Sequence, residues 1–494
     1  MSYIKQIKHI EKPDYTKPME FLAIGLFQDE DLGASQREVD KALGGLIAAV
    51  LKRKDFKGKK NEILMLHTTT DLAKVVLVGL GETKKFTADI ARQAAGKVVQ
   101  LARKHNQTSC GLLTFEAALP DEDLTQAMAE GLILGSYQFM EHKKPEKDAR
   151  ELKTLTMVGA ASKTALDRGV ILGTSVCLAR DLQNHPSNVA TPTHLAKEAQ
   201  RIAKAKNMTC TIFDRAEFTK LGMGALAGVA AGTDQPPKFI LIEYNGGKAG
   251  EAPLAVVGKG LTFDAGGICI KPSDKMDEMK FDMSGGAATL GIMEAVSRLQ
   301  PKLNIIAAIP STENLLGGSA QKPGDIVKAY NGKTIEVINT DAEGRLILAD
   351  ALAYVVDKYK PTAILDFATL TGAVLIALGH RASGLLGNNE DLIAEVKEAS
   401  EKTGERVWQL PLWEDYKEDI KSKVADVKNI GEGRLAGTIA GGIFLQEFVG
   451  DTPWVHLDIA GTAWQGKDQP YTPGGGSGVA VRLVTHIILE RAGK

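Results

Sequence analysis

Along the chain, short apolar runs alternate with longer segments whose apolar positions recur three and four residues apart. In the first third, Phe21-Leu22-Ala23-Ile24-Gly25-Leu26 and Lys74-Val75-Val76-Leu77-Val78-Gly79 are short and almost wholly apolar, which predicts buried strands. TADIARQAAGKVVQLARKH (87–105) has helical spacing and opens on a threonine suited to N-capping, so a helix is expected there. The charged, apolar-poor stretch HKKPEKDARELK (142–153) leads into one more strand, Thr154 to Gly159. ASKTALDRGVILGTSVCLARDLQNHPSN then predicts a long helix that stops at Asn-His-Pro, because the residue before proline is pushed out of the helical region.

A domain boundary is placed near residue 160. It separates a smaller N-terminal α/β domain (1–160) from a larger C-terminal domain (161–494). In the latter, Phe239-Ile240-Leu241-Ile242, Leu254-Ala255-Val256-Val257, Ile305-Ile306-Ala307-Ala308-Ile309 and Ala363-Ile364-Leu365-Asp366 alternate with helix-length segments. The expected fold class is therefore α/β, with a mixed, largely parallel sheet flanked by helices.

Composition narrows the function classes. Lys and Arg number 60 against 61 Asp and Glu, so the net charge of −1 gives no whole-protein sign of nucleic-acid binding, although a local basic patch stays open. Glycine is abundant at 51 residues and aromatics are 5%, which suits a loop-rich α/β enzyme. Cys110, Cys177, Cys210 and Cys269 lie far apart and form no C-x-x-C, so neither a disulfide framework nor a thiolate zinc site is indicated. The first residues lack an apolar leader region and no apolar run is long enough to span a membrane, so a cytoplasmic protein is expected.

Several familiar signatures fail. Gly332-Lys333-Thr334 resembles the end of a P-loop, but position 327 is Val and a strand follows. Gly79-Leu80-Gly81 and Gly258-Lys259-Gly260 lack the third glycine of a dinucleotide fingerprint. There is no G-x-S-x-G and no H-E-x-x-H.

NTDAEGRL (339–346) sets two acids and a guanidinium between an apolar run, Thr334 to Ile338, and Leu346-Ile347-Leu348. One reading is structural: Thr340-x-x-Glu343 forms a capping box, and Asp341 favours the helix dipole. The other is chemical, and it requires the segment to be extended, since i, i+2 and i+4 share a side only in a strand. A second stretch, AVVGKGLTFDAGGICIKPS (255–273), threads Lys259, Asp264 and Lys271 between glycines, and MKFDMSGG then supplies Asp282. Charged groups in apolar, glycine-rich surroundings are costly unless paired or metal-bound. Four carboxylates without a nearby histidine suit hard or borderline divalent ions, and with bridging they suffice for two.

These motifs closely resemble the leucyl aminopeptidase family of dinuclear-metal exopeptidases, the M17 peptidases, whose signature is NTDAEGRL. LDFATLTGA (365–373), DVKNIGEGRLAGTIAGGIFLQEFV and WVHLDIAGTAW extend the likeness, which covers residues 160–494 well. The first 160 residues are compatible with the family's variable, oligomer-associated N-terminal domain. The resemblance implies that Asp264 and Glu343 bridge two ions, that Lys259 and Asp282 complete one site, and that Asp341 completes the other. It implies Mn or Zn, with Mg and Co as further options. Lys271 would stabilise the oxyanion, and Arg345 would hold a bicarbonate acting as general base toward a metal-activated water. Lys259 would ligate as a neutral amine, its pKa depressed by the cations. Met279, Thr369, Gly372 and Ala460 would line the first side-chain pocket.

The implied activity is release of an N-terminal, leucine-like residue from peptides with a free amino terminus, by a homohexamer with no membrane partner. Ala265 departs from the family's usual serine after the bridging Asp, and tuning at most is expected from it. A two-metal phosphoesterase is a weaker enzyme reading, because only Arg345 and Lys271 resemble a phosphate cradle. A DNA-binding or scaffold role through the N-terminal domain is the alternative from another class.

Overall fold

A computed structural model describes residues 3–144, 150–433 and 435–493. The charged stretch 142–153 therefore lies partly outside the described residues. The chain forms two compact units, Met1–Cys177 with Lys467–Gly474, and Leu178–Gly466 with Gly475–Lys494. The division falls inside the helix Lys163–Asn184, which ends directly before His185-Pro186 as expected.

The first unit is built on six strands in the order Ile7–Ile10, Thr154–Val158, Ser109–Leu113, Leu22–Phe27, Lys74–Gly81 and Ile63–His67. All neighbours are parallel except the last pair. Leu22–Phe27 is buried along its whole length, as the uniformly apolar run requires. The helix Ala88–Lys104 is capped by Thr87, whose side chain accepts from the Ile90 N–H at 3.3 Å.

The second unit carries a nine-stranded mixed sheet, parallel in its middle, where Leu254–Gly258 lies between Ala363–Ala368 and Asn304–Asn314. Antiparallel strands Lys238–Asn245 and Met208–Phe213 extend one side. On the other, Trp454–Asp458 runs parallel to Ala363–Ala368 and antiparallel to Ser383–Gly387. The helix Gly344–Tyr359 has no polar stripe over its first three turns. Leu346, Ile347, Leu348 and Leu352 are all fully buried in one cluster with Ala255 and Val257, as expected of a helix packed on all sides.

One acid inside that helix has a purely structural task. Asp350 is fully buried; its Oδ2 accepts from the Leu226 N–H at 2.8 Å and its Oδ1 from the Tyr330 N–H at 2.7 Å. It thereby caps the helix Gly224–Val229, which has no side-chain cap of its own. Burial pushes this carboxyl up to about 7 against the pull of the backbone N–H groups. Asp350→Ala orphans two buried donors and is expected to cost about 2–4 kcal/mol. The check is a lower urea midpoint at unchanged slope; a loss below about 0.5 kcal/mol would refute the capping role.

Candidate metal centre

The site sits where the parallel strands end, the usual place for ligands in such sheets. Lys259 follows the strand Leu254–Gly258, and Thr369 follows Ala363–Ala368. Asp264 closes the strand Gly260–Asp264, which pairs with Asn304–Asn314 so that Asp264 lies opposite Asn314. The register shifts between Leu261 and Phe263, the kind of irregularity that re-aims a side chain. The chain then turns through Gly266 at φ +88°, where a Cβ would come within 2.7 Å of Asp341 Oδ1. Asp282 lies in the 3-10 helix Met276–Met283, and the following helix starts at Ser284 with Met283 as its cap position, so Asp282 is not an N-cap.

Both local readings of NTDAEGRL need correction. The capping box does not form: Thr340 Oγ1 donates to Gly266 O at 2.7 Å and accepts from Cys269 N at 2.9 Å, and Glu343 has no side-chain cap bond. Nor is the segment extended. It is a turn, with Ala342 N donating to Asn339 O at 3.2 Å and Glu343 already at φ −78°, ψ −33°. The physical reason is a side-chain clamp. Asn429 accepts from Ile338 N at 2.8 Å and donates to Asn339 O at 2.6 Å and Ala342 O at 3.3 Å. These bonds satisfy the backbone as a strand partner would, and the turn still brings the acids together.

Oxygens of Asp264, Asp341 and Glu343 lie within 4.8 Å of one another. Lys259 Nζ joins Asp282 to the group, at 2.7 Å from Asp282 Oδ2 and 2.8 Å from Glu343 Oε1, and it also donates to Thr369 O at 2.9 Å. Lys271 Nζ lies 2.8 Å from Asp264 Oδ2 and 2.5 Å from Asp341 Oδ1. Asn314 donates to Asp264 Oδ1 at 2.9 Å and to Thr340 O at 3.0 Å. Four carboxylates thus face two ammonium groups, and Lys259, Asp264, Asp282 and Glu343 are all buried.

The charge balance leaves a demand for cations. Burial, together with repulsion from Asp264, pushes Glu343 upward despite Lys259, and burial raises Asp282 and Asp341 as well. Burial pulls Lys259 down, but Asp282, Glu343 and Asp264 outweigh it and hold the ammonium above its ordinary range. The depression that ligation by an amine requires must therefore come from the ions themselves. Asp282 Oδ2 is held by the Lys259 ammonium at 2.7 Å, and Asp341 Oδ1 by the Lys271 ammonium at 2.5 Å. The residues fit divalent ions: four carboxylates against two ammonium groups leave oxygen donors in excess, and Lys259 adds one amine.

Arg345 lies in the first turn of its helix, buried, with Nη1 donating to Asn429 O at 2.9 Å and Nε without a partner. Burial lowers its guanidinium to about 10, opposed by Glu343 and Asp458. Of the expected pocket residues, Thr369 is tied to Asp282, its Oγ1 donating to Oδ1 at 2.6 Å, and Met279 stands on the same 3-10 helix as Asp282. Ala460 N donates to Asp458 Oδ1 at 3.2 Å. Gly372 faces open space. Ala265 is buried, and its backbone bonds Asn314 O and the Lys271 N–H, both at 3.0 Å, so the departure from serine leaves the turn intact.

Asn314, Asn429 and Asp458 escaped the reading of the sequence. For Asn314 and Asp458 the available signal was a polar group closing a strand, in IIAAIPSTEN and WVHLD; Asn429 follows only the two-residue strand Val427–Lys428 and carries no such signal.

Comparison with known proteins identifies the family. Residues 177–485 match the model of the cytosol aminopeptidase family catalytic domain, and residues 23–146 match its N-terminal domain. The probable cytosol aminopeptidase of Alkaliphilus metalliredigens is 43% identical over 479 residues, covering 94% of this chain and 95% of that protein. That of Syntrophotalea carbinolica is 43% identical over 488 residues, covering 96% and 98%. Among solved structures, a mutant of tomato leucine aminopeptidase superposes with a TM-score of 0.88 at 33% identity, covering 99% of this chain and 97% of that one. The bottromycin maturation enzyme BotP in complex with Mn gives 0.85 at 31% identity, covering 96% and 99%. With both domain models and near full-length relatives matched, the chain belongs to the cytosol aminopeptidase family (M17) of metal-dependent exopeptidases.

Proposed function

We propose that Lys259, Asp264, Asp282, Asp341 and Glu343 hold two divalent ions, and that the chain releases leucine-like N-terminal residues from peptides. The observation that carries this reading is the convergence of four carboxylates on two ammonium groups where the central parallel strands end. When bound, the ions supply Lewis acidity and lower the pKa of a coordinated water. Mn or Zn suits the donor set, with Mg or Co as alternatives.

Lys271 keeps about a fifth of its side chain exposed, so its ammonium can reach a scissile carbonyl and stabilise developing negative charge there. Arg345 would hold a bicarbonate through the guanidinium edge that carries the unpartnered Nε, and that anion supplies a proton acceptor. Met279, Thr369, Gly372 and Ala460 would line the pocket for the first side chain. Assembly as a homohexamer and a cytoplasmic location belong to the same proposal; among the described residues no helix is long and apolar enough to cross a membrane.

The test compares leucine release from Leu-amide and N-acetyl-Leu-amide, after chelation and re-addition of Mn²⁺ or Zn²⁺. Metal-restored cleavage of the free amine alone supports the reading; cleavage of neither overturns it. Arg345→Lys keeps the charge but loses the planar fork. It is expected to lower kcat about 10²-fold, the low end for loss of acid–base assistance, at unchanged metal content. An unchanged kcat would remove Arg345 from the mechanism.

A local basic run keeps the DNA-binding alternative in view: Lys52, Arg53, Lys54, Lys57, Lys59 and Lys60 are exposed. Arg53 is paired with Asp55 at 2.8 Å, so part of the run's charge is balanced locally. The aminopeptidase reading stands first.

A further inference from the structure

Asp458 closes the strand Trp454–Asp458 beside Ala368, at the point where two parallel strands end and their chains diverge. Its carboxylate is fully buried and spans that divergence. Oδ1 accepts from Leu370 N and from Ala460 N, each at 3.2 Å, and Oδ2 accepts from Thr371 Oγ1 at 2.6 Å. A hydroxyl has one proton, and Thr371 gives it to Asp458. Thr371 Oγ1 must then accept from Thr438 Oγ1 at 3.0 Å and from Val374 N at 3.3 Å, the cap of the helix Gly372–Leu378. One buried carboxylate thus orders a chain of hydroxyls and fixes the backbone on both sides of the gap.

The residues it fixes are not arbitrary. Residue 369, immediately before the bonded Leu370, gives its carbonyl to Lys259 and its hydroxyl to Asp282. Residue 372 follows Thr371, and residue 460 is bonded directly. Three of the four residues expected to line the first side-chain pocket therefore hang on Asp458 or on its immediate partners, although Asp458 is itself fully buried.

We propose that Asp458 is the positioning residue that sets the width of this pocket, and so the enzyme's discrimination among N-terminal side chains. The proposal rests on the aminopeptidase reading. Asp458→Ala cuts all three bonds and frees the two walls to move apart. Asp458→Asn keeps an oxygen for the two backbone N–H groups and offers an amide donor to Thr371, whose hydroxyl can turn to Thr438.

The experiment measures kcat/KM of the metal-loaded full chain for Leu-, Met-, Ala- and Gly-amide, with metal content and Tm followed in parallel. In Asp458→Ala, the ratio of the best to the worst substrate is expected to fall at least tenfold, mainly through KM, at unchanged metal content. Asp458→Asn is expected to restore most of that ratio. Thr371→Val removes only the hydroxyl link; it is expected to shift the ratio in the same direction by a smaller factor, and it decides the matter if the alanine variant does not fold. An unchanged ratio in a folded, metal-loaded Asp458→Ala overturns the proposal, as does an unchanged ratio in Thr371→Val when the alanine variant is unfolded. Wild-type protein assayed alongside separates the two levels: inactivity there overturns the aminopeptidase reading and this proposal with it, whereas a change confined to the variants concerns Asp458.

Discussion

Asp264→Ala is expected to abolish metal-dependent peptide hydrolysis, by at least about 10³-fold, the equivalent of roughly 4 kcal/mol of lost transition-state stabilisation. The reason lies in how many groups this one carboxylate serves. Its Oδ2 faces Lys271, and its Oδ1 accepts from Gly266 N and Asn314 Nδ2, both at 2.9 Å. It is also the charge that most raises Glu343 after burial itself. Two consequences for stability oppose each other. Removing one of four crowded acids relieves repulsion, while the two donors and Lys271 lose a partner, a loss of about 1–3 kcal/mol per orphaned group. The metal-free variant should therefore unfold only slightly earlier than wild type. What should disappear is the rise in Tm that Mn²⁺ confers by binding only the folded chain. A variant that keeps the full Mn²⁺-dependent rise would show that the ion sits elsewhere.

Gly344→Ala pits a local preference against a distant contact. By helix propensity alone, replacing glycine by alanine inside a helix gains up to about 1 kcal/mol. Here a Cβ would lie 2.6 Å from Lys259 Nζ, 2.7 Å from its Cε and 2.9 Å from its Cδ. Such distances cannot persist, and the movable partner is the lysine stem rather than backbone. The fold is expected to survive with Tm shifted by a few degrees at most. The ammonium, however, must leave Asp282 and Glu343, to which it is held at 2.7 and 2.8 Å. A displacement near 1 Å in a catalytic centre can cost about 10²-fold, and that is the expected fall in kcat/KM, accompanied by weaker metal retention. Wild-type activity in Gly344→Ala would mean that Lys259 is not required at its observed position.

These two residues also mark what the sequence could and could not disclose. Strands such as Leu22–Phe27 and Leu254–Gly258, and the Thr87-capped helix, follow from local hydrophobic pattern and capping chemistry, which need no distant partner. The ionisable residues of the centre were legible because charges threaded between glycines have few structural justifications. The glycine at 344 was visible; its reason was not, since Lys259 reaches it from the end of a strand far away in sequence. The conformation of NTDAEGRL departs from both sequence expectations for the same kind of reason. Period rules offer helix or strand, whereas Asn429 and Asn314 hold a turn that belongs to neither. Asp350 and Asp458 each looked like an ordinary acid in an apolar run, because a buried acceptor declares itself only through the N–H groups it satisfies. The segment Lys467–Gly474, which belongs with the first unit, carries no local signal of that placement.

A two-ion centre is open to direct view in an anomalous-diffraction map from a crystal of the wild-type chain soaked in Mn²⁺. Two peaks per chain are expected, bounded by Asp264, Asp282, Asp341 and Glu343, with the Lys271 ammonium moved out of its contacts with Asp264 and Asp341. Peaks elsewhere, or an unchanged pairing of both lysines with the four acids at saturating Mn²⁺, would contradict the two-ion centre.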